Sequence, residues 1–193
     1  MNRLVLILIA LLLSAHSVVH AQPGATAAPR EATQFDFLLG QWDIELSPKT
    51  NGLAAMIHGT QRLVGSWKAW RAFDGLGIED ELRVIDGSGN PATLAVSQRI
   101  FDGKSRRWLI SSLDVYRTRF NSATAQWQDG EMRAGGSAGN SSDGKPFITR
   151  SRFHEITPER FRMTQDRSFD EGKSWEEGVL TISAKRVAAK APR

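Results

Sequence analysis

Trp42, Ile44 and Leu46 alternate with Gln41, Asp43 and Glu45, the period-two pattern of a strand with one buried face. Just upstream the period differs. Phe35, Leu38 and Leu39 stand at i, i+3 and i+4, which puts them on one face of a helical turn. Thr33 fits the N-cap of that turn and Asp36 the capping acid three residues on. Gly40 at the joint suits the left-handed residue that ends a helix. The segment 35–46 thus predicts a short helix running directly into a first strand.

Downstream the chain reads as strands punctuated by turns. Strands are expected over 56–67, 68–73, 78–85, 92–101 and 107–115, with Tyr116 to Phe120 continuing the last of these after a bulge. Two more, 124–128 and 131–135, flank Asp129-Gly130, a strong hairpin signal. Gly135 to Gly144 is rich in Gly and Ser and reads as a loop. The last three strands are 147–156, 160–169 and 174–186. Roughly ten strands at spacings of about 8–15 residues, with no three-turn amphipathic helix after the leader, predict an all-β antiparallel fold. Closure into an up-and-down barrel would remove the edge strands, with Phe35, Leu38 and Leu39 as the apolar face of a plug in one end.

Composition adds compartment and removes some chemistry. Arg3 followed by the apolar run Leu4–Leu13, and small residues at Val19-His20-Ala21, predict an export signal over 1–21, the run being too short to span a bilayer. No membrane span is then expected after cleavage, and the compartment is periplasmic or extracellular. Residues 22–32, with Pro23, Gly24 and Pro29, read as a flexible leader, 33–187 as the barrel domain, and 188–193 as a disordered basic tail. The chain has no cysteine, so disulfides, thiolate chemistry and a lipid-anchoring cysteine are all excluded. The net charge of +4 is small. Arg99, Arg106, Arg107, Arg117 and Arg119 lack an accompanying aromatic stacking motif, so nucleic acid is not an expected partner.

Gly40-Gln41-Trp42 near the start of the first strand, with Arg186 on the last, resembles the calycin superfamily of lipocalin-like barrels. That resemblance implies that the Trp42 ring packs across the barrel base with the Arg186 guanidinium over it. Alternation agrees, because Arg186 shares a strand face with Leu180, Ile182 and Ala184. A wider resemblance covers nearly all of the chain after the leader. Phe35-Asp36-Phe37-Leu38-Leu39-Gly40-Gln41-Trp42, Phe101-Asp102-Gly103 with Arg107-Trp108, Ile156 to Phe161, and Phe169 to Trp175 are similar to one bacterial lipocalin-like family of unknown function. It implies a fold and leaves the activity open. Haem barrels related to nitrobindin also begin on Leu-Gly-x-Trp, but need a histidine ligand near their last strands. His154 stands there in a different context, so neither haem nor any other cofactor is expected.

Other candidates are weaker. Ser168 to Trp175 matches an Asp-box, in which Asp170 and Gly172 would shape a tight hairpin with Trp175 packed behind it. Gly135-Gly136-Ser137-Ala138-Gly139 matches Gly-x-Ser-x-Gly, but a nucleophile elbow needs a strand–turn–helix setting that is missing here. After the leader only His58 and His154 remain, too few for a zinc site of the usual kind. In Glu79-Asp80-Glu81 adjacent residues alternate faces, so at most Glu79 and Glu81 line up, as a solvated strand face in preference to an acid–base pair. The most informative set is Arg150, His154, Gln165 and Arg167 on adjacent strands, of which at least one face must look inward. These would give a cavity its polar groups, and Trp67, Trp70, Trp108 and Trp127 its aromatic wall, for a small and partly hydrophobic ligand. Two alternatives stand beside this binding function. One is a barrel hydrolase or isomerase using a cavity histidine or carboxylate. The other is a filled, structural or partner-binding barrel. Ligand identity and oligomeric state are not encoded in any motif.

Overall fold

In the computed structural model, residues 28–49, 62–141 and 143–188 are described. They form ten strands: β1 (Gly40–Pro48), β2 (Leu63–Ala72), β3 (Gly77–Ile85), β4 (Pro91–Asp102), β5 (Arg107–Asp114), β6 (Arg119–Gln128), β7 (Glu131–Asn140), β8 (Pro146–His154), β9 (Arg160–Ser168) and β10 (Glu176–Arg186). Each pairs antiparallel with its sequence neighbours, and β1 pairs with β10, so the sheet closes into a barrel. The calycin-like, up-and-down architecture with a helical plug is therefore the fold. The expected signal over 1–21, His58 and the end of the basic tail lie outside the described residues.

The plug is made of two 3-10 turns, Arg30–Thr33 and Asp36–Leu38. It begins earlier than expected. Ala32, assigned from sequence to the leader, is buried together with Phe35 and Leu38. Thr33 does not cap: its hydroxyl donates to the Arg30 carbonyl at 2.8 Å, and Asp36 pairs with Arg71 of β2 instead. The helical turn starts after Pro29, so by Thr33 the chain is already inside it. Gly40 is needed at the joint for two reasons. Its φ is +108°, and a Cβ there would lie 2.6 Å from Arg186 Nη1.

Three other expectations change. The strands expected over 56–67 and 68–73 are, within the described residues, the single strand β2. Val115–Thr118 is a turn between β5 and β6, not a bulge, so 107–120 is two strands. Gly135 to Asn140 is strand, not loop. Glycine and serine weaken a strand without preventing ladder hydrogen bonds, which need only the backbone. The Gly-x-Ser-x-Gly match thus lies within β7. The Asp129-Gly130 hairpin is as expected, with φ of 53° and 78°, the paired positive angles of a type I′ turn.

The plug end of the barrel is a closed aromatic floor. The Trp42 ring is fully buried, stands edge-on to Phe161 at 4.8 Å, and carries the Arg186 guanidinium 4.0 Å from its centroid. Arg186 is further tied to the Leu39 carbonyl at 2.8 Å and to that of Pro158. Phe35 and Phe37 fill the centre against Trp108, Trp127 and Phe153. Within this floor lies a buried ion pair: Arg99 Nε donates to Asp80 Oδ2 at 2.6 Å, and Trp67 Nε1 donates to Asp80 Oδ1 at 2.9 Å. Within the acidic run 79–81 it is Asp80, on the face opposite Glu79 and Glu81, that is buried. Asp80 shares a strand face with Ile78, Leu82 and Val84, the inner face of β3, and Arg99 meets it from β4.

The Asp-box forms the β9–β10 turn. Asp170 accepts from the Ser174 hydroxyl at 2.6 Å, the Ser174 amide at 2.8 Å and the Ser168 hydroxyl at 2.7 Å. Trp175 Nε1 donates back to the Gly172 carbonyl at 3.1 Å. The Ser174 hydroxyl, aided by its amide and Ser168, holds the Asp170 pKa down to about 2. An unfolded aspartate titrates near ~3.9, so the turn gains stability from Asp170 above that value and loses it as pH falls through about 2. In a carboxyl-resolved NMR titration Asp170 should be the last aspartate of this turn region to protonate on acidification. A midpoint near ~4 would contradict the hydrogen-bonded geometry.

Candidate functional site

Along the inner wall, burial divides the barrel in two. Near the plug, Trp42, Trp67, Ile78, Phe101, Trp108, Met132, Phe153 and Phe161 are buried. On the same strand faces toward the other end, Leu63, Leu82, Ala95, Ser112, Asn121, Ala123, Ser151, Gln165 and Leu180 are half-buried, whereas Leu46, Val84 and Thr149 are buried. Alternation brings both sets onto the inner surface. The reason for the change is side-chain volume. The floor is aromatic, whereas much of the upper wall is Ala, Ser, Asn and Gln, which carry less side-chain volume.

Polar groups of the upper lumen come chiefly from β8, β9 and β10. Gln165 donates to the Ser151 hydroxyl at 3.3 Å. Arg167 lies over the Phe169 and Phe147 rings at 4.8 and 5.5 Å, and its Nη2 meets Glu176 at 2.8 Å. Its Nε is buried without a hydrogen-bond partner. Thr149 is buried and donates to the Ser137 carbonyl at 3.4 Å.

The expected site residues separate by strand parity. Gln165 and Arg167 point into the barrel with Phe161 and Met163. Arg150 and His154 point out, because their neighbours Thr149, Ser151 and Phe153 take the inner face. Arg150 pairs with Asp166 at 2.8 Å and covers the Trp175 ring at 4.3 Å. Burial opposes ionisation of Asp166, but the Gly178 amide and Arg150 outweigh it and hold its pKa below the ordinary value. His154 Nε2 shares a hydrogen bond of 2.9 Å with Thr164, and burial, then Arg152, lowers its pKa. Arg150 belongs to an outer-wall groove of charged side chains that includes Arg133, Arg152 and Asp166.

The tryptophans are likewise divided. Trp67 and Trp108 are buried in the floor, and Trp127 packs on Phe37 of the plug, so these three close the lumen from below. Trp70 is 44 % exposed on the outside, donating to Glu79. Trp67 and Trp70 are three residues apart and cannot share a strand face. Trp175 lies on the outer wall over Gly172, and Gly40, Trp42, Arg186, Asp170 and Gly172 hold the two barrel ends as described above. Sequence reasoning missed Asp80, Arg99, Ser151 and Glu176. Among the described residues, no group of three His, Asp or Glu side chains could hold a metal ion, and no helix is long and apolar enough to cross a membrane.

These features define a lipocalin-like barrel, closed at one end by its own N-terminal segment. No family model matches the chain and no curated protein matches its sequence. Among solved structures it is similar to the S-type phycobiliprotein lyase CPES from Guillardia theta, with a TM-score of 0.51 and 12 % identity, covering 81 % of this chain and 92 % of that one. At this identity the likeness is one of fold.

Proposed function

We propose that this chain is an exported barrel of the bacterial lipocalin-like family its sequence resembles, and that it holds a small, partly hydrophobic molecule in its upper lumen. The observation that carries the reading is the change along the inner wall, from a fully packed floor to half-buried small and polar side chains. A barrel serving only as a scaffold would gain from larger apolar side chains at those positions, since close packing stabilises a core. Gln165, Ser151 and Arg167 supply the few oriented polar groups such a pocket needs, and Leu63, Leu82 and Leu180 supply apolar surface. The fold shared with a phycobiliprotein lyase supports a barrel that works on a small molecule. Binding fits better than acid–base catalysis, because His154, the histidine expected to serve as base, sits on the outer wall.

A neutral fluorescent probe, N-phenyl-1-naphthylamine, tests the pocket. Wild type should bind it saturably with a blue-shifted emission. Ser112→Trp, which fills the lumen from β5, should weaken binding by about tenfold or more, equivalent to ~1.4 kcal/mol, while the far-ultraviolet circular dichroism stays unchanged. Equal binding by the two proteins would place the probe elsewhere and remove the lumen from consideration.

A further inference from the structure

The barrel wall is incomplete on one side. β6 and β7 pair only from Thr124↔Gly135 down to Gln128↔Glu131. Above that point Arg119–Ala123 of β6 still pairs with β5, and Ser137–Asn140 of β7 still pairs with β8, but no register joins the two stretches to each other. The cause is in β7. Gly136 is an extra residue relative to β8, with φ of +91°, and such a bulge bends and twists its strand away from the ladder. The two strand edges therefore face each other across a gap, with backbone groups that the sheet does not satisfy.

A cavity of about 470 Å³ opens at this gap, a size suited to one small molecule. Its walls include Phe120, Phe147, Ile148 and Phe169, of which Phe120 is 75 % exposed. Arg119 projects across the gap: its Nη1 lies 3.4 Å from where a Cβ on Gly139 would stand. Among the described residues Arg119 has no hydrogen bond or ion pair. Asp114, its register partner, is engaged by Arg117 at 2.9 Å. Glu171 is the carboxylate on the rim of the cavity, and it is exposed.

We propose that this side opening takes an amphipathic anion, a molecule with an apolar body and a single carboxylate, sulfonate or phosphate, and that Arg119 anchors its head group. The apolar body lies among Phe120, Phe147 and Phe169 and reaches through the gap toward the lumen. The inference builds on the lumen-binding reading and adds to it a charge class and a lateral route. A free cation beside exposed aromatic rings selects an anion over its neutral analogue, because the pair is charge-assisted and partly shielded from water. A recess of this volume suits a single small molecule.

The matched pair 1-anilinonaphthalene-8-sulfonate and N-phenyl-1-naphthylamine differs by the sulfonate alone. The anionic probe should bind wild type more tightly, and more weakly as salt is raised. Arg119→Gln should reduce its affinity by about tenfold and leave the neutral probe within about twofold, with Arg119→Lys intermediate. If Arg119→Gln leaves the anionic probe unaffected, the head-group assignment falls, while the lumen reading still stands on the neutral probe and Ser112→Trp. If Ser112→Trp leaves the neutral probe unaffected but Arg119→Gln still weakens the anionic one, the lumen reading falls and the side opening stands alone. Binding to phosphatidylglycerol vesicles with no binding of the free anionic probe would overturn the proposal in favour of a membrane-facing patch.

Discussion

Replacing Arg99 with leucine should destabilise the barrel by about 3–5 kcal/mol, because it strands the Asp80 carboxylate in the aromatic floor. Asp80 is 1 % exposed and Arg99 6 % exposed, so water cannot take over the role of the missing partner. Arg99 also lies 5.1 Å from the Phe35 ring centroid and 6.0 Å from that of Trp67, and those contacts go with it. Removing the pair together is a different experiment. Asp80→Leu combined with Arg99→Leu leaves the Trp67 N–H without its acceptor but no unpaired charge, so the double variant should be more stable than Arg99→Leu alone. Urea unfolding followed by tryptophan fluorescence would measure both. A single-variant cost below ~1 kcal/mol would mean that the floor is wetter than its burial indicates.

Trp42→Ala should cost a similar amount, about 3–5 kcal/mol, for a different physical reason. The ring is fully buried, and it joins three parts of the fold: Phe161 of β9, Arg186 of β10, and the plug, to which its Nε1 donates at the Leu38 carbonyl over 2.8 Å. Truncation opens a cavity among side chains fixed by the closed sheet, so little collapse can compensate. For a domain of this size the loss corresponds to a fall in melting temperature on the order of 10 °C. Trp42→Phe keeps much of the ring but abandons the Leu38 carbonyl and should lie between wild type and Trp42→Ala. Thermal melts of the three proteins that fail to rank in this order would place the contribution of Trp42 outside its packing.

The two variants touch features that differed in legibility. Trp42 and Arg186 could be read from the chain, because alternation put Arg186 with Leu180 and Ile182, and the Gly-x-Trp pattern supplied a partner for it. Asp80 could not be read with the same ease. Its own strand places it on the inner face, yet two flanking glutamates disguise it as part of a solvated run, and its partner Arg99 lies 19 positions away on the next strand. A buried charge becomes intelligible only once the topology supplies the opposite one. The candidate site divided for a related reason. Gln165 and Arg167 follow Phe161 and Met163 inward, whereas Arg150 and His154 are excluded by the parity of Phe153, a choice the sequence of β8 leaves open. The splayed top of β7 was hidden by composition: Gly135 to Asn140 carries the residues of a loop while its backbone makes a strand with one free edge.

Arg186 reaches back 147 positions to the Leu39 carbonyl, and the first strand of the barrel is zipped to the last. Contacts of such long range are slow to form, since the intervening chain must surrender its freedom before they give anything in return. The floor cannot be finished before β10 has been made. Until β10 leaves the ribosome, Trp42 has no guanidinium above it and β1 and β9 are both raw edges. A nascent barrel of this design stays unclosed until its last strand arrives, so the timing of its closure is set by β10.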